Sequence, residues 1–300
     1  MRIGTRGSAL AMAQSNLVAQ AIRERTGRTV ELVEIVTAGD RSSAPIPRLG
    51  VGVFVSALRD ALLAKEIDAA VHSYKDLPTA PADGLVIAGV PPREDPRDVL
   101  VARDGLTLAE LPAGARIGTG ALRRIAALHA LDRGFDVVPI RGNVDTRLRK
   151  VSSGELDAVV LALAGLARLG RAAEATEILE PELMLPAPAQ GALAVECRAD
   201  DPDLIDLLST VDDPATRAAV AAERSLLATL EAGCSAPVAA LAEASGAGQI
   251  HLRGAVHSPD GHVALRLSRT GTPAAAELLG RLLAQDLLAA GADKVLGVQR

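Results

Sequence analysis

A four-residue string, Arg2-Ile3-Gly4-Thr5, returns as Arg116-Ile117-Gly118-Thr119, and in both places the sequence leads from a strand into a helix. A second string returns in the same order: Lys65-Glu66-Ile67-Asp68-Ala69-Ala70-Val71 has its counterpart in Gly154-Glu155-Leu156-Asp157-Ala158-Val159-Val160. Each copy of the second string reads as a helix end followed by a strand. Two matches in one order predict two related α/β halves. The alternation of strand and helix patterns up to about residue 210 predicts parallel or mixed sheets with helices on both faces. In the first half the pattern predicts strands over 2–5, 31–37, 68–72 and 85–90, and helices over 8–25 and 55–65. Ser8 lies near the first helix cap and Gly27 lies past its end. Two such halves enclose a cleft suited to a small molecule. Helix N-termini facing it would offer free N–H groups to carboxylates. Crossings between the halves are expected near 91–98 and 185–191.

After Asp213 the pattern changes. A long helix is predicted over 213–231, then two strands over 249–257 and 262–270 joined at 259–261, then a last helix over 272–290. Residues 242–248 read as a flexible turn. This is a small α+β domain, and Cys234 lies in its first loop. The expected division is therefore 1–91 plus 191–209 for the first α/β domain, 97–186 for the second, and 213–300 for the C-terminal domain.

Composition narrows the function. The net charge is −5 and the aromatic residues are Phe54, Tyr74 and Phe135. An acidic chain without stacking platforms is not built for nucleic acid. No run of apolar residues is long enough to span a bilayer, and no basic-then-apolar leader is visible. The two cysteines, Cys197 and Cys234, make no disulfide framework, so a reducing, cytoplasmic setting is expected. Cys197, in an apolar strand, reads as core. The five histidines have no zinc-motif spacing, so no metal is expected, and His257 and His262, either side of a turn, read as surface residues. No coiled coil or obvious apolar edge asks for a partner, so a monomer is expected, although the sequence does not determine the oligomeric state.

Arginines fall at matching places. Arg6, Arg123, Arg124, Arg141, Arg147 and Arg168 lie in or beside predicted strand-to-helix turns. A lone arginine is an ordinary surface residue, but several converging would grip a ligand rich in carboxylates. Lys75-Asp76 follows a strand at the end where parallel sheets place their sites. Asp76 there either caps a turn or holds and shuttles protons. Cys234, between Gly233 and Ser235, is either a small buried loop residue or an accessible attachment point.

Eight stretches, in order and covering nearly the whole chain, closely resemble the porphobilinogen deaminase (hydroxymethylbilane synthase) family. They begin at Gly4, His72, Arg93, Gly118, Arg141, Leu163, Gln190 and Leu230: GTRGSALA, HSYKDLP, REDPRD, GTGALRR, RGNVDTR, LAGLARLG, QGALAVECR and LEAGCSAP. The resemblance implies two α/β domains like a type II periplasmic binding protein, and a third, smaller domain. It implies a dipyrromethane cofactor joined to Cys234 through a thioether. Four porphobilinogen molecules would then add head to tail, each losing ammonia, before water releases hydroxymethylbilane. By position, Asp76 would hydrogen-bond pyrrole nitrogens and stabilise the charge that develops as ammonia leaves. Arg6, Lys75, Arg123, Arg124, Arg141, Arg147 and Arg168 would hold acetate and propionate groups, and Ser8 and Gln190 would add hydrogen bonds. The sequence departs from the family pattern where Val51 replaces an expected lysine and where Gly120 and Ala121 replace expected serines. Those departures motivate the alternative of a diverged, weakly active or inactive paralogue; a small-anion-binding protein on the same fold is a further alternative, since fold alone does not fix function.

Overall fold

A computed structural model describes residues 1–36, 55–233, 236–258 and 260–297. The expected features at Val51, Cys234 and Pro259 lie outside the described residues. The chain divides into two compact units: Met1–Glu94 with Ala192–Arg217, and Asp95–Gly191 with Ala218–Arg300.

In the first unit, β1 (Arg2–Thr5), α1 (Ala9–Thr26), β2 (Glu31–Glu34), α2 (Ser56–Leu63), β3 (Ala69–Ser73) and β4 (Leu85–Gly89) are joined by β10 (Leu193–Arg198) and α6 (Pro202–Ser209). The sheet order is β2-β1-β3-β10-β4. β1 runs parallel to both its neighbours, and β10 runs antiparallel to β3 and β4. Cys197 sits in this core at 0% exposure, as expected of an apolar strand position. Burial pushes its thiol up to about 11, so it is no nucleophile.

The second unit holds two sheets. β5 (Asp98–Ala102), β6 (Arg116–Thr119), α3 (Leu122–His129), β7 (Asp136–Pro139), α4 (Val144–Ser152), β8 (Ala158–Ala162), α5 (Leu163–Arg168) and β9 (Glu177–Leu179) build one, ordered β7-β6-β8-β5-β9. β11 (Val238–Ser245), β12 (Gln249–His257) and β13 (Ala264–Gly271) form the other, an antiparallel sheet. Its inner face packs on α7 (Pro214–Thr229), α8 (Ala276–Ala289) and α9 (Ala292–Leu296) through residues such as Leu226, Leu252 and Leu283.

The repeat read from the sequence is structural. β1 and β6 share one burial pattern, and each is the parallel neighbour of the two strands that correspond. The Arg2 amide donates to Asp68 Oδ2 at 2.7 Å, and the Arg116 amide donates to Asp157 Oδ2 at 2.7 Å. A Cβ on Gly4 would lie 2.3 Å from Ile67 Cδ1, and one on Gly118 would lie 2.5 Å from Leu156 Cδ1. Both glycines therefore make room for the apolar residue of the second repeated string.

Three expectations are corrected. Residues 242–245 belong to β11, a strand in which alanine holds four of eight positions and Val238 is the one β-branched residue, so the strand signal is weak. The C-terminal sheet thus has three strands where two were expected. His257 is 2% exposed and not a surface residue, because its side of β12 packs within the second unit; His262 is exposed.

Candidate functional site

β5 reads Asp-Val-Leu-Val-Ala and is buried along its whole length, so its first residue places a carboxylate at 0% exposure. A bare charge there would be prohibitively costly. The first turn of α3 supplies the answer with Arg123 and Arg124, each 5% exposed. Arg123 Nη1 donates to Asp98 Oδ2 at 2.5 Å and to Leu185 O at 3.0 Å. Its Nη2 donates to Asp98 Oδ1 at 3.2 Å and to Gln190 Oε1 at 3.1 Å. Arg124 Nη2 reaches Asp98 Oδ1 at 2.7 Å and Nη1 reaches Val160 O at 3.0 Å. Gln190, fully buried, donates to Asp98 Oδ1 and to Pro96 O, both at 2.7 Å. Burial alone would push the Asp98 carboxyl up, but the two guanidiniums outweigh it and hold the group well below the usual carboxylate range.

Of the other basic residues singled out in this unit, Arg141 follows β7, Arg147 lies in α4 and Arg168 ends α5, the helix after β8. Arg141 keeps Nη1 buried with no hydrogen-bond partner among the described residues, as does Arg124 with Nε. Arg147 Nε donates to Gly142 O at 2.9 Å, and Arg168 Nη2 donates to Gly191 O at 2.6 Å.

In the first unit, Arg6 follows β1 and a single 3₁₀ turn, Tyr74–Asp76, follows its parallel neighbour β3. Lys75 is half-buried. Asp76 is exposed, caps nothing, and among the described residues takes no hydrogen bond or ion pair, which leaves its carboxylate available. Ser8 is spent locally: its Oγ caps α1 by accepting from the Ala11 amide at 3.3 Å. The strand leading to Asp76 is anchored from beneath. Ser73 Oγ meets the Gln14 amide at 2.9 Å, and His72 Nε2 lies 3.2 Å from Glu196 Oε2. Arg59 grips the same Glu196 carboxylate at 2.8 Å. Burial would raise Glu196, and His72 and Arg59 together hold it below its ordinary value.

Of the residues singled out in the sequence, the structure brings Arg123, Arg124 and Gln190 together around Asp98 in one unit. Arg6, Ser8, Lys75 and Asp76 gather at neighbouring strand ends in the other. Asp98 is the member that sequence reasoning left without a role. Its signal was an acid opening an otherwise apolar five-residue strand.

A family model described as porphobilinogen deaminase, dipyromethane cofactor binding domain, matches residues 1–206, and one described as porphobilinogen deaminase, C-terminal domain, matches residues 217–289. A Nocardia farcinica protein named porphobilinogen deaminase is 60% identical over 99% of this chain and 88% of its own length. A Streptomyces coelicolor protein named porphobilinogen deaminase 1 is 59% identical over 99% of this chain and 97% of its own. Among solved structures, a periplasmic substrate-binding protein of an ABC transporter from Coxiella burnetii is similar at 16% identity and a TM-score of 0.46, over 75% of this chain and 96% of that one.

Proposed function

The chain belongs to the porphobilinogen deaminase family, and from that membership we propose that it condenses four porphobilinogen molecules head to tail with loss of ammonia, on a dipyrromethane held by Cys234, and releases hydroxymethylbilane. The observation that carries this reading is the pair of family models, which together account for residues 1–206 and 217–289.

The residues present fit the cofactor. A pyrrole chain bears two carboxylates per unit, and the second unit offers buried guanidinium donors, Arg124 Nε and Arg141 Nη1, that no acceptor among the described residues takes up. When bound, the dipyrromethane supplies the nucleophilic pyrrole end from which the chain is extended. Arg6, Lys75, Arg141, Arg147 and Arg168 bind acetate and propionate side chains and so fix the register of successive rings. Asp76, an available carboxylate at a strand end, accepts pyrrole N–H groups and stabilises the positive charge on the substrate as ammonia departs. The reading includes three domains bounded at 1–91 plus 191–209, 97–186 and 213–300, and a monomer working in the cytoplasm. Among the described residues no helix is long and apolar enough to cross a membrane.

Intact-mass measurement tests the reading. Protein purified from cells that make porphobilinogen should be heavier than its sequence by one dipyrromethane, and Cys234→Ser should remove the excess. Recovery of the bare polypeptide mass from the unaltered protein would sink it. Asp76→Ala should keep the fold, since the side chain is exposed and makes no hydrogen bond or ion pair among the described residues, and lower turnover by about a hundredfold or more. Near-normal turnover in that variant would reassign the acid.

A further inference from the structure

Two guanidiniums share a single buried carboxylate at the start of β5. Among the described residues, Asp98 is the one carboxylate that either Arg123 or Arg124 pairs with. Two positive charges against one negative leave the cluster one anion short, in surroundings where an uncompensated charge is costly. The two arginines are also not equivalent. Both terminal nitrogens of Arg123 donate twice, to Asp98, Leu185 and Gln190. Arg124 is held by its far end, through Asp98 and Val160 O, while its buried Nε has no acceptor among the described residues. Gln190 ties the same carboxylate to Pro96 O.

We propose that Asp98 is a positioning residue for cofactor loading: its carboxylate locks Arg123 as a strut and holds Arg124 by one end, so that the Nε edge of Arg124 is left to receive a carboxylate of the bound pyrrole chain. Arg123 then contributes charge and rigidity, and the missing anion of the cluster is the ligand's own. The assignment rests on the reading of the chain as a deaminase.

The test is a double-mutant cycle on loading. Cofactor-free protein is prepared from cells that make no porphobilinogen, its fold is checked by circular dichroism, and it is incubated with porphobilinogen while the gain in intact mass is timed. Asp98→Asn keeps the shape and removes the charge; it should slow loading by about tenfold, the scale typical for removing the partner that orients a binding group. Arg124→Gln should slow loading similarly. The double variant should be no slower than Arg124→Gln alone, because one effect acts through the other. Loading of Asp98→Asn at the unaltered rate, or slowing that multiplies in the double variant, would overturn the proposal. Should Asp98→Asn not fold, Asp98→Glu, which keeps the charge and shifts it by one methylene, enters the same cycle with the same two outcomes. An unaltered protein that gains no mass at all defeats the deaminase reading; one that loads normally beside a normally loading Asp98→Asn defeats only this inference.

Discussion

Gly120 and Ala121, in the turn before the arginine pair, show how one position can carry opposite consequences from its neighbour. A Cβ on Gly120 would lie 2.6 Å from Ile140 O, a backbone atom that cannot swing aside. Ala121 is the N-cap of α3, in extended conformation, with no side-chain cap bond. The family resemblance leads one to expect serine at both. Gly120→Ser should therefore cost about 1–3 kcal/mol through overpacking, while Ala121→Ser should add about 1 kcal/mol by capping an orphan amide of the first turn. Urea denaturation of the two variants checks both signs; equal effects would show that the turn relaxes freely. Single residues were unevenly legible in the sequence. Ser8 was read as lying near a cap, which it forms, because capping is local. Asp98 was not read, because what makes it matter is a partnership with residues 25, 26 and 92 positions away. No local pattern encodes that meeting.

At the scale of elements, the repeated strings were the most faithful signal, since the apolar residue after each helix and the glycine in each strand depend on one another for space. β11 escaped because its alanine-rich run carries little alternation and a single β-branched residue, Val238. Missing it also hid the environment of His257. That histidine ends β12, where its amide donates to Pro237 O at 3.0 Å, and its Nδ1 is buried with no partner among the described residues. Burial, then Arg266 from β13 and Arg123 from α3, pushes it down from 6.5 to about 4. The folded protein thus refuses a proton that the unfolded chain accepts. The stability this depressed value carries is complete above pH 6.5 and is lost as pH falls from 6.5 toward 4, by about 3 kcal/mol across the window. His257→Leu should remove that slope. Urea midpoints at pH 7 and pH 4.5 would compare the two proteins, and an equal loss in both would place the acid sensitivity elsewhere.

For the whole molecule, the sequence told the fold class well, because it follows from alternation and repetition along the chain. It told less about the chemistry, because charge is a sum over the surface whereas binding depends on where the charges sit. The net charge is −5, so a distant anion meets repulsion, yet the proposed ligand-holding groups are cations. The two contributions respond oppositely to salt. If the overall field dominated, added salt would screen repulsion and lower KM. If local guanidiniums dominate, salt competes with them and raises it. Screening falls off over about 10 Å at 0.1 M, which suppresses the far field first but leaves contact pairs weakened and not erased. A half-buried arginine beside a carboxylate gains more than several remote acids lose, since interaction energy falls with distance and with the dielectric between the charges. KM for porphobilinogen should therefore rise severalfold between about 0.03 and about 0.3 M sodium chloride, with kcat changing less. A KM that falls with salt would mean that the long-range field governs capture, and that the arginines gathered at these strand ends do not hold the substrate.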